Sequence, residues 1–181
     1  YMMKPDSIPS SNTPFAHFRQ IPNKAIEHDW KLLQKRKYIP AAVPVHPAAE
    51  VFHGSLPKNA ERIDKKLLID FDFTGDYILN EPQWQSTGLF APPGEKITLK
   101  LPEAIVNKDI YVQIGAHKND LLAYHFTKKR IQFTTMDWPI DEKHMEISSP
   151  IGGLIYLIVP PDKKLSNHTI SIEGAIESPY F

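Results

Sequence analysis

Residues 84–101 read WQSTGLFAPPGEKITLKL, and this stretch decides the fold class. A short, largely apolar piece (84–91) runs into Pro92-Pro93-Gly94. Proline presets φ and glycine accepts a positive φ, so these three residues predict a tight turn. Apolar and polar residues then alternate over 96–101, which is typical of a half-buried strand with three residues on its apolar face: Ile97, Leu99 and Leu101. The stretch therefore predicts a β-hairpin-like corner of an all-β domain.

Strand patterns continue to the end of the chain. Further apolar runs occupy 67–73, 110–117, 121–127, 131–135, 152–159 and 168–176. The run at 152–159 is apolar on both faces, which predicts a central strand that is covered on both sides. In the last run the alternation places three isoleucines on one face: Ile170, Ile172 and Ile176. Roughly seven to nine short strands separated by turns predict a β-sandwich that is jelly-roll-like.

The first 50 residues differ from the rest in composition. Residues 1–22 are polar and rich in proline, which indicates an extended or poorly ordered leader. Over about 24–37, Ile26, Trp30 and Leu33 fall at positions i, i+4 and i+7, which predicts one amphipathic helix. A proline-rich connector follows the helix. We therefore expect two parts, a leader with its helix (1–50) and a β-sandwich domain (51–181).

Composition limits the classes of function. The chain of 181 residues has 21 Lys and Arg against 21 Asp and Glu residues, with a pI near 7.3. This balance provides no strong field for nucleic acid, so no nucleic-acid partner is expected. Cysteine is absent, which excludes disulfides and thiolate metal sites. No run approaches the roughly 20 apolar residues of a membrane span, so none is predicted.

No motif of a common catalytic centre is present. The chain lacks the phosphate-binding patterns G-x-x-x-x-G-K-[ST] and G-x-G-x-x-G and the nucleophile pattern G-x-S-x-G. It also lacks H-E-x-x-H, in which two histidines one helical turn apart hold zinc and the glutamate acts as a base. We therefore predict no catalytic residue and no cofactor in this chain, and we expect no activity from it alone.

His117, Asp120 and His125 are the best combination of metal-ligating residues. Imidazole and carboxylate groups bind divalent metals when three or more of them meet, and these three lie near one predicted hairpin. The alternative is coincidence, because the chain has eight histidines and two near one hairpin are expected. We favour the alternative and predict no metal site.

Aromatic residues are the other candidates for a ligand site. Trp84, Tyr124, Trp138 and Tyr156 supply flat faces that suit the apolar side of a sugar ring. We interpret Trp84 and Tyr156 as core residues, since large aromatic residues are mostly buried. Trp138 is followed by a proline and flanked by acidic residues, so we expect it to be exposed. The candidate binding residues are therefore Trp138 and Tyr124.

Glycines within strand patterns have a structural interpretation. Gly115, Gly152 and Gly153 interrupt apolar runs, and a glycine inside a strand usually marks a bulge or a close approach of another backbone. We expect the strand at 149–156 to be buried. We also expect its two glycines to permit close packing against a neighbouring element or against another domain.

Four blocks of the sequence resemble one known family. They are Trp84 with STGLFAPPGE at 86–95, VQIGAH at 112–117 with Asp120, SPIGGLIY at 149–156 with Val159-Pro160, and IEGAI at 172–176 followed by SPYF. In this order they are similar to the N-terminal part of the enhancin-like, mucin-degrading zinc metallopeptidases (M-sixty type). The similarity covers roughly residues 52–181, and its motif positions are Trp84, Gly88, Pro93, Gly94, Gly115, Gly152 and Gly153.

The resemblance implies a β-sandwich that precedes a helical catalytic domain with H-E-x-x-H and a distal glutamate ligand. None of those residues matches a position here, so zinc is expected only in a catalytic domain missing from this chain. The implied partners are that C-terminal metallopeptidase domain and a mucin-type glycoprotein or glycan. A secreted or cell-envelope location rests on the resemblance alone. Related sequences include channel-associated factors that share the domain without clear protease function.

Three functions remain open at this point. The first is the non-catalytic β-sandwich of an enhancin-like metallopeptidase, which supports the catalytic domain and helps to engage a glycoprotein substrate. The second is a free-standing carbohydrate-binding module, for which the aromatic residues are the motive. The third is a protein-interaction module whose helix at about 24–37 docks on a partner. For that helix, packing on its own sandwich is the favoured alternative.

Overall fold

The computed structural model describes residues 43, 45, 49, 56–57, 59–73, 81–116, 135–161 and 163–178. This part of the chain contains a single-turn 3₁₀ helix, Glu103–Ile105, and eight strands. The strands are β1 (Ile63–Asp72), β2 (Gln83–Ala91), β3 (Lys96–Lys100), β4 (Tyr111–Ile114), β5 (Met136–Pro139), β6 (His144–Ser148), β7 (Gly153–Val159) and β8 (Lys164–Glu177). The predicted all-β class is confirmed. No helix among the described residues is long and apolar enough to cross a membrane.

The strands form one antiparallel sheet that curls around its core. Their order is β5-β4-β7-β2-β8-β3-β6, and β1 pairs with β8 beside this path. We call β5, β4, β7 and β2 the first half-sheet, and β1, β8, β3 and β6 the second half-sheet. Buried side chains from both halves belong to one hydrophobic cluster. The two layers expected of a sandwich are therefore halves of a single continuous sheet.

Strand β8 joins the two halves because it is long and contains a bulge. It runs over 14 residues. It pairs with β1 along most of its length, with β3 at residues 171–173 and with β2 at its last residues, Ile176 and Glu177. The register with β1 shifts between Glu173 and Ala175, which leaves Gly174 as the extra residue at φ 81°. An extra residue bends a strand and increases its twist. The bulge therefore turns the end of β8 from one half-sheet towards the other.

The same bulge corrects one prediction about the direction of side chains. Ile170 and Ile172 are buried as predicted, but after the bulge Ala175 is the buried residue and Ile176 is only half-buried. One inserted residue reverses the alternation, so Ile176 points to the opposite face from Ile170. The prediction that all three isoleucines share a face was wrong. Pairing of Ile176 with Phe90 of β2 takes place on the outside of the sheet.

The stretch 84–101 forms a corner between the halves, although its two strands do not pair. β2 pairs with β7 and β8, whereas β3 pairs with β6 and β8. The turn at Pro92-Pro93-Gly94 therefore carries the chain across β8 from the first half-sheet to the second. The hairpin-like pairing predicted here was wrong, but the predicted alternation is confirmed because Ile97 and Leu99 are buried.

The core lies between the half-sheets and includes Trp138 of β5. Its side chain is 0% exposed and belongs to the main hydrophobic cluster. The prediction that Trp138 is exposed was wrong: Met136–Pro139 is a strand paired with β4, which points Trp138 inward beside Val112. Val43 also belongs to this cluster, and its N–H donates to the Gly94 carbonyl at 2.8 Å. A residue before position 50 therefore contributes to the core.

The predicted central strand is β7, which pairs with β4 on one side and β2 on the other and has most of its residues buried. Several other predictions lie outside the described residues. These are the leader, the helix at about 24–37, the strand at 121–127, most of the strand at 131–135, and the candidate residues His117, Asp120, Tyr124 and His125.

Candidate interaction face

The outer side of the first half-sheet carries a row of apolar side chains across four strands. In the register of the sheet, Pro139 of β5 lies opposite Tyr111 of β4, Tyr111 opposite Ile158 of β7, and Ile158 opposite Trp84 of β2. Side chains alternate between the faces of a sheet, so residues aligned across strands share a face. Their neighbours Trp138, Val112 and Leu157 are buried in the core, which places this row on the outside.

Two aromatic residues of this row are open to solvent. Trp84 is 43% exposed and Tyr111 is 37% exposed, and both are among the exposed large hydrophobic residues of the described part. Tyr156, one step along β7, lies beside the row, with its ring centroid 5.4 Å from that of Trp84 and an interplanar angle of 55°. Tilted pairs at this distance are favourable for aromatic rings. We call Trp84, Tyr111, Tyr156, Ile158 and Pro139 the aromatic face.

Further apolar residues extend the aromatic face towards the end of β8. Leu154 of β7 lies opposite Phe90 of β2, and Phe90 lies opposite Ile176 of β8, with all three half-buried. Ile176 reaches this side because of the bulge at Gly174. The N–H of Ser178 then donates to the carbonyl of Gly88 at 3.0 Å. The chain therefore leaves β8 alongside β2, next to the aromatic face.

The outer side of the second half-sheet has the opposite character. Cross-strand ion pairs join Lys100 to Glu173, Lys96 to Glu146 at 2.6 Å and Lys164 to Asp72 at 2.5 Å. The hydrogen bond that Lys100 donates to Glu173 raises the pKa of the Lys100 ammonium. Charged cross-strand pairs suit a sheet surface that faces water. The two outer sides are thus chemically distinct, one ionic and one aromatic.

A local irregularity in β2 separates Trp84 from the buried end of its strand. The ladder with β7 pairs Ser86 with Tyr156 but Phe90 with Leu154, so two extra residues lie in β2. The buried hydroxyl of Thr87 donates to the Ile155 carbonyl at 2.7 Å and accepts from the Leu89 N–H at 3.3 Å. These bonds replace the lost ladder pairing. They fix the point at which β2 changes from the exposed Trp84 segment to the buried Leu89 segment.

A glycine-rich junction holds together the ends of three strands of the first half-sheet. It joins the turn after β2, the end of β4 and the start of β7, and it contains most of the motif positions: Pro93, Gly94, Gly115, Gly152 and Gly153. The Gly94 N–H donates to the Ser149 carbonyl at 2.8 Å, and the Gly115 N–H donates to the Leu154 carbonyl at 2.9 Å. Three of the four blocks recognised in the sequence therefore meet in one structural unit.

One polar side chain beside the junction is fully buried. Gln113 of β4 donates from Nε2 to the Gly115 carbonyl at 2.7 Å, which ties the end of β4 to the junction. Its Oε1 accepts no hydrogen bond from any described residue. In the register Gln113 lies between Asp137 and Tyr156, on the side of the aromatic face.

The structure changes the set of candidate ligand residues. Trp138 has no exposed ring face to offer a sugar, and Tyr124 lies outside the described residues. Trp84, interpreted from the sequence as core, is the exposed tryptophan of the described part, and Tyr156 is its neighbour. Tyr111 was missed, although strict alternation with the apolar Ile110 and Val112 was a signal that it points outward. Among the described residues no group of three or more His, Asp or Glu side chains is placed to hold a metal ion.

The described residues thus form an all-β domain with structural glycines and one aromatic outer side. Residues 58–173 match the family described as the N-terminal domain of M60-like peptidases, and the chain belongs to that family. Among its relatives, a TRPM8 channel-associated factor homolog of Danio rerio is 35% identical over 99 residues, which are 55% of this chain and 11% of that protein. TRPM8 channel-associated factor 1 of Homo sapiens is 35% identical over 98 residues, 54% of this chain and 10% of that protein.

The chain thus spans about a tenth of the length of these relatives. Solved structures with some likeness include the IMPa metallopeptidase from Pseudomonas aeruginosa, with a TM-score of 0.48, 16% identity and coverage of 68% of this chain and 13% of that chain. A functionally unknown conserved protein from Bacillus anthracis gives a TM-score of 0.40, 18% identity and coverage of 67% of this chain and 23% of that chain.

Proposed function

We propose that this chain is the non-catalytic N-terminal β-domain of an enhancin-like, mucinase-type zinc metallopeptidase. The observation that carries the proposal is the match of residues 58–173 to the N-terminal domain of M60-like peptidases. The role of the domain is to support the catalytic domain and to help engage a glycoprotein substrate. Zinc and the catalytic residues belong to the following domain of the parent protein.

The test uses the product of the complete reading frame that contains this chain. Hydrolysis of an O-glycosylated mucin and of a short glycopeptide is compared between this product and a version that lacks residues 51–181. We expect the deletion to lower kcat/KM for mucin more than for the short glycopeptide, because only the large substrate reaches the β-domain. If the deletion changes kcat/KM for mucin no more than kcat/KM for the short glycopeptide, the role in substrate engagement is refuted.

A free-standing carbohydrate-binding module is the second candidate, and the exposed Trp84 packed on Tyr156 favours it. Exposed aromatic rings suit the apolar face of a hexose. The chain itself is applied to a glycan array together with Trp84→Ala and, as a matched control, Leu68→Ala, since Leu68 is 65% exposed on the other half-sheet. Glycan binding that Trp84→Ala abolishes and Leu68→Ala keeps supports this candidate, and an array without signal excludes it.

A protein-interaction role is the third candidate. The relatives that match this chain are described as channel-associated factors, and the aromatic face has a composition that is common at protein interfaces. The test is a pull-down with this chain as bait, compared with the variants Trp84→Ala and Leu68→Ala. We expect a bound partner to be lost with Trp84→Ala and retained with Leu68→Ala.

A further inference from the structure

We propose that the aromatic face is the surface on which the polypeptide following residue 181 docks in the longer protein. This inference rests on the proposed function, because it requires such a following domain. The aromatic face is then the surface through which the N-terminal domain contacts the following domain. Three observations on the described residues and one on the length of the relatives lead to it.

The first observation is the contrast between the two outer sides of the sheet. Ion pairs such as Lys96–Glu146 cover the second half-sheet, whereas the aligned row from Pro139 to Trp84 contains no charged side chain. Three strand spacings make this row about 14 Å long. Within this row Trp84 and Tyr111 are exposed, while Ile158 between them is 4% exposed and lies outside the core cluster. Exposed apolar residues grouped on one side of a domain mark interaction sites, and tyrosine and tryptophan are enriched at interfaces.

The second observation is the path of the chain. β8 runs antiparallel to β2, with Glu177 opposite Leu89 and the Ser178 N–H bonded to the Gly88 carbonyl. At Ser178, the last described residue, β8 points along β2 in the direction from Gly88 to Trp84. Because β8 ends at Ser178 next to β2, a domain that follows is tethered close to the aromatic face and has a high effective concentration there.

The third observation is that the last strand itself contributes to the apolar surface. The bulge at Gly174 turns Ile176 outward, next to Phe90. Without the extra residue, Ile176 would point into the core and the surface would end at β2. The bulge therefore makes the surface continuous from Trp84 to the point where the chain leaves the sheet.

The fourth observation is the length of the family members. Relatives that match this chain are about ten times longer than the matched part, which is 11% of one and 10% of another. A neighbouring domain is therefore present in those proteins. Domain interfaces within a chain resemble protein–protein interfaces in size and composition, which is the kind of surface the aromatic face provides.

Hydroxyl-radical footprinting tests the proposal without depending on peptidase activity. The labelling rates of Trp84, Tyr111 and Tyr156 are compared between chain 1–181 and the complete reading-frame product. Buried Trp138 gives the baseline for a protected ring, and Leu68 and His144, exposed on the second half-sheet, give the baseline for an accessible one. We expect Trp84 and Tyr111 to fall to the rate of Trp138 in the complete product, while Leu68 and His144 keep their rates.

Unchanged labelling of Trp84 and Tyr111 in the complete product would overturn the proposal, even where that product is an active peptidase. Protection in a product without peptidase activity would instead refute the proposed function and leave the docking surface standing. Two further arms use chain 1–181 alone. Protection of Trp84 by added galactose or N-acetylgalactosamine would overturn the proposal in favour of a sugar site, and protection that grows with chain concentration would overturn it in favour of a second copy.

Discussion

The backbone of Gly153 at the start of β7 lies directly against the backbone of Gly115 at the end of β4. A Cβ atom on Gly153 would be 2.8 Å from both the Cα and the N of Gly115, and Gly153 has φ 141°. No side chain fits at this distance without movement of the backbone. The contact keeps β4 and β7 in register, and these strands carry Tyr111 and Ile158 of the aromatic face.

Replacement of Gly153 is therefore expected to destabilise the domain. Gly153→Val should lower the free energy of unfolding by about 1–3 kcal/mol, because the added atoms overpack the junction. Urea denaturation measures the change, and Leu68→Val at an exposed strand position is the control. A loss below about 0.5 kcal/mol, the usual range for surface substitutions, would show that the junction is loose.

Substitution of Gly174 tests whether the bulge in β8 depends on the positive φ angle of this residue. Its φ is 81°, and a Cβ there would lie 3.1 Å from the Lys96 carbonyl oxygen. Gly174→Ala should cost about 1–2 kcal/mol of unfolding free energy, since a positive φ disfavours residues with a Cβ. Gly174→Asn adds the same Cβ, but asparagine tolerates this conformation, so its loss should be smaller. Equal losses for both variants in urea melts would point to the close contact rather than to φ.

Thr87 is expected to stabilise the irregular part of β2 through its hydroxyl. Thr87→Val keeps the shape of the side chain but leaves the Ile155 carbonyl and the Leu89 N–H without this partner. We expect a loss of about 1–3 kcal/mol, the cost of unsatisfied buried polar groups. Thr87→Ser retains the hydroxyl and should lose less. A Val variant as stable as the wild type in chemical denaturation would mean that these bonds contribute nothing.

The two tryptophans of the first half-sheet are expected to differ in their effect on stability. Trp138→Ala removes a fully buried ring and should cost about 3–5 kcal/mol. Trp84→Ala removes an exposed ring and its contact with Tyr156, which should cost about 0.5–1.5 kcal/mol. Both are measured by urea unfolding followed by far-UV circular dichroism, with Trp138→Phe as the substitute if the alanine variant does not fold. A larger loss for Trp84 than for Trp138 would contradict the assignment of outer and inner faces.

Long periodic runs allowed the sequence to predict much of the sheet. The alternation in 96–101 identifies β3, and the continuous apolar run at 152–159 identifies β7. Both patterns are local, because they follow from which faces of one strand are buried and not from its partners. Strands β5 and β6 were missed. Met136–Pro139 has four residues and ends in proline, and His144–Ser148 has five, so neither is long enough for a clear period.

The errors about the candidate site have a common physical cause. The direction of Trp138 depends on the pairing of β5 with β4, and that of Ile176 depends on one inserted glycine. Pairing and bulges are long-range features, and a shift of one residue exchanges the two faces of a strand. The exposure of Trp84 follows in the same way from its position opposite Ile158 on the outer side, which no local pattern of residues reveals.

The most direct test of the account is the DNA sequence that follows the codon for Phe181. The account places this chain before a zinc metallopeptidase domain, so it predicts an uninterrupted reading frame with an H-E-x-x-H motif and a distal glutamate. A stop codon directly after Phe181, or a long continuation without that motif, would contradict it. The function of the domain would then have to be sought in glycan or protein binding at the aromatic face.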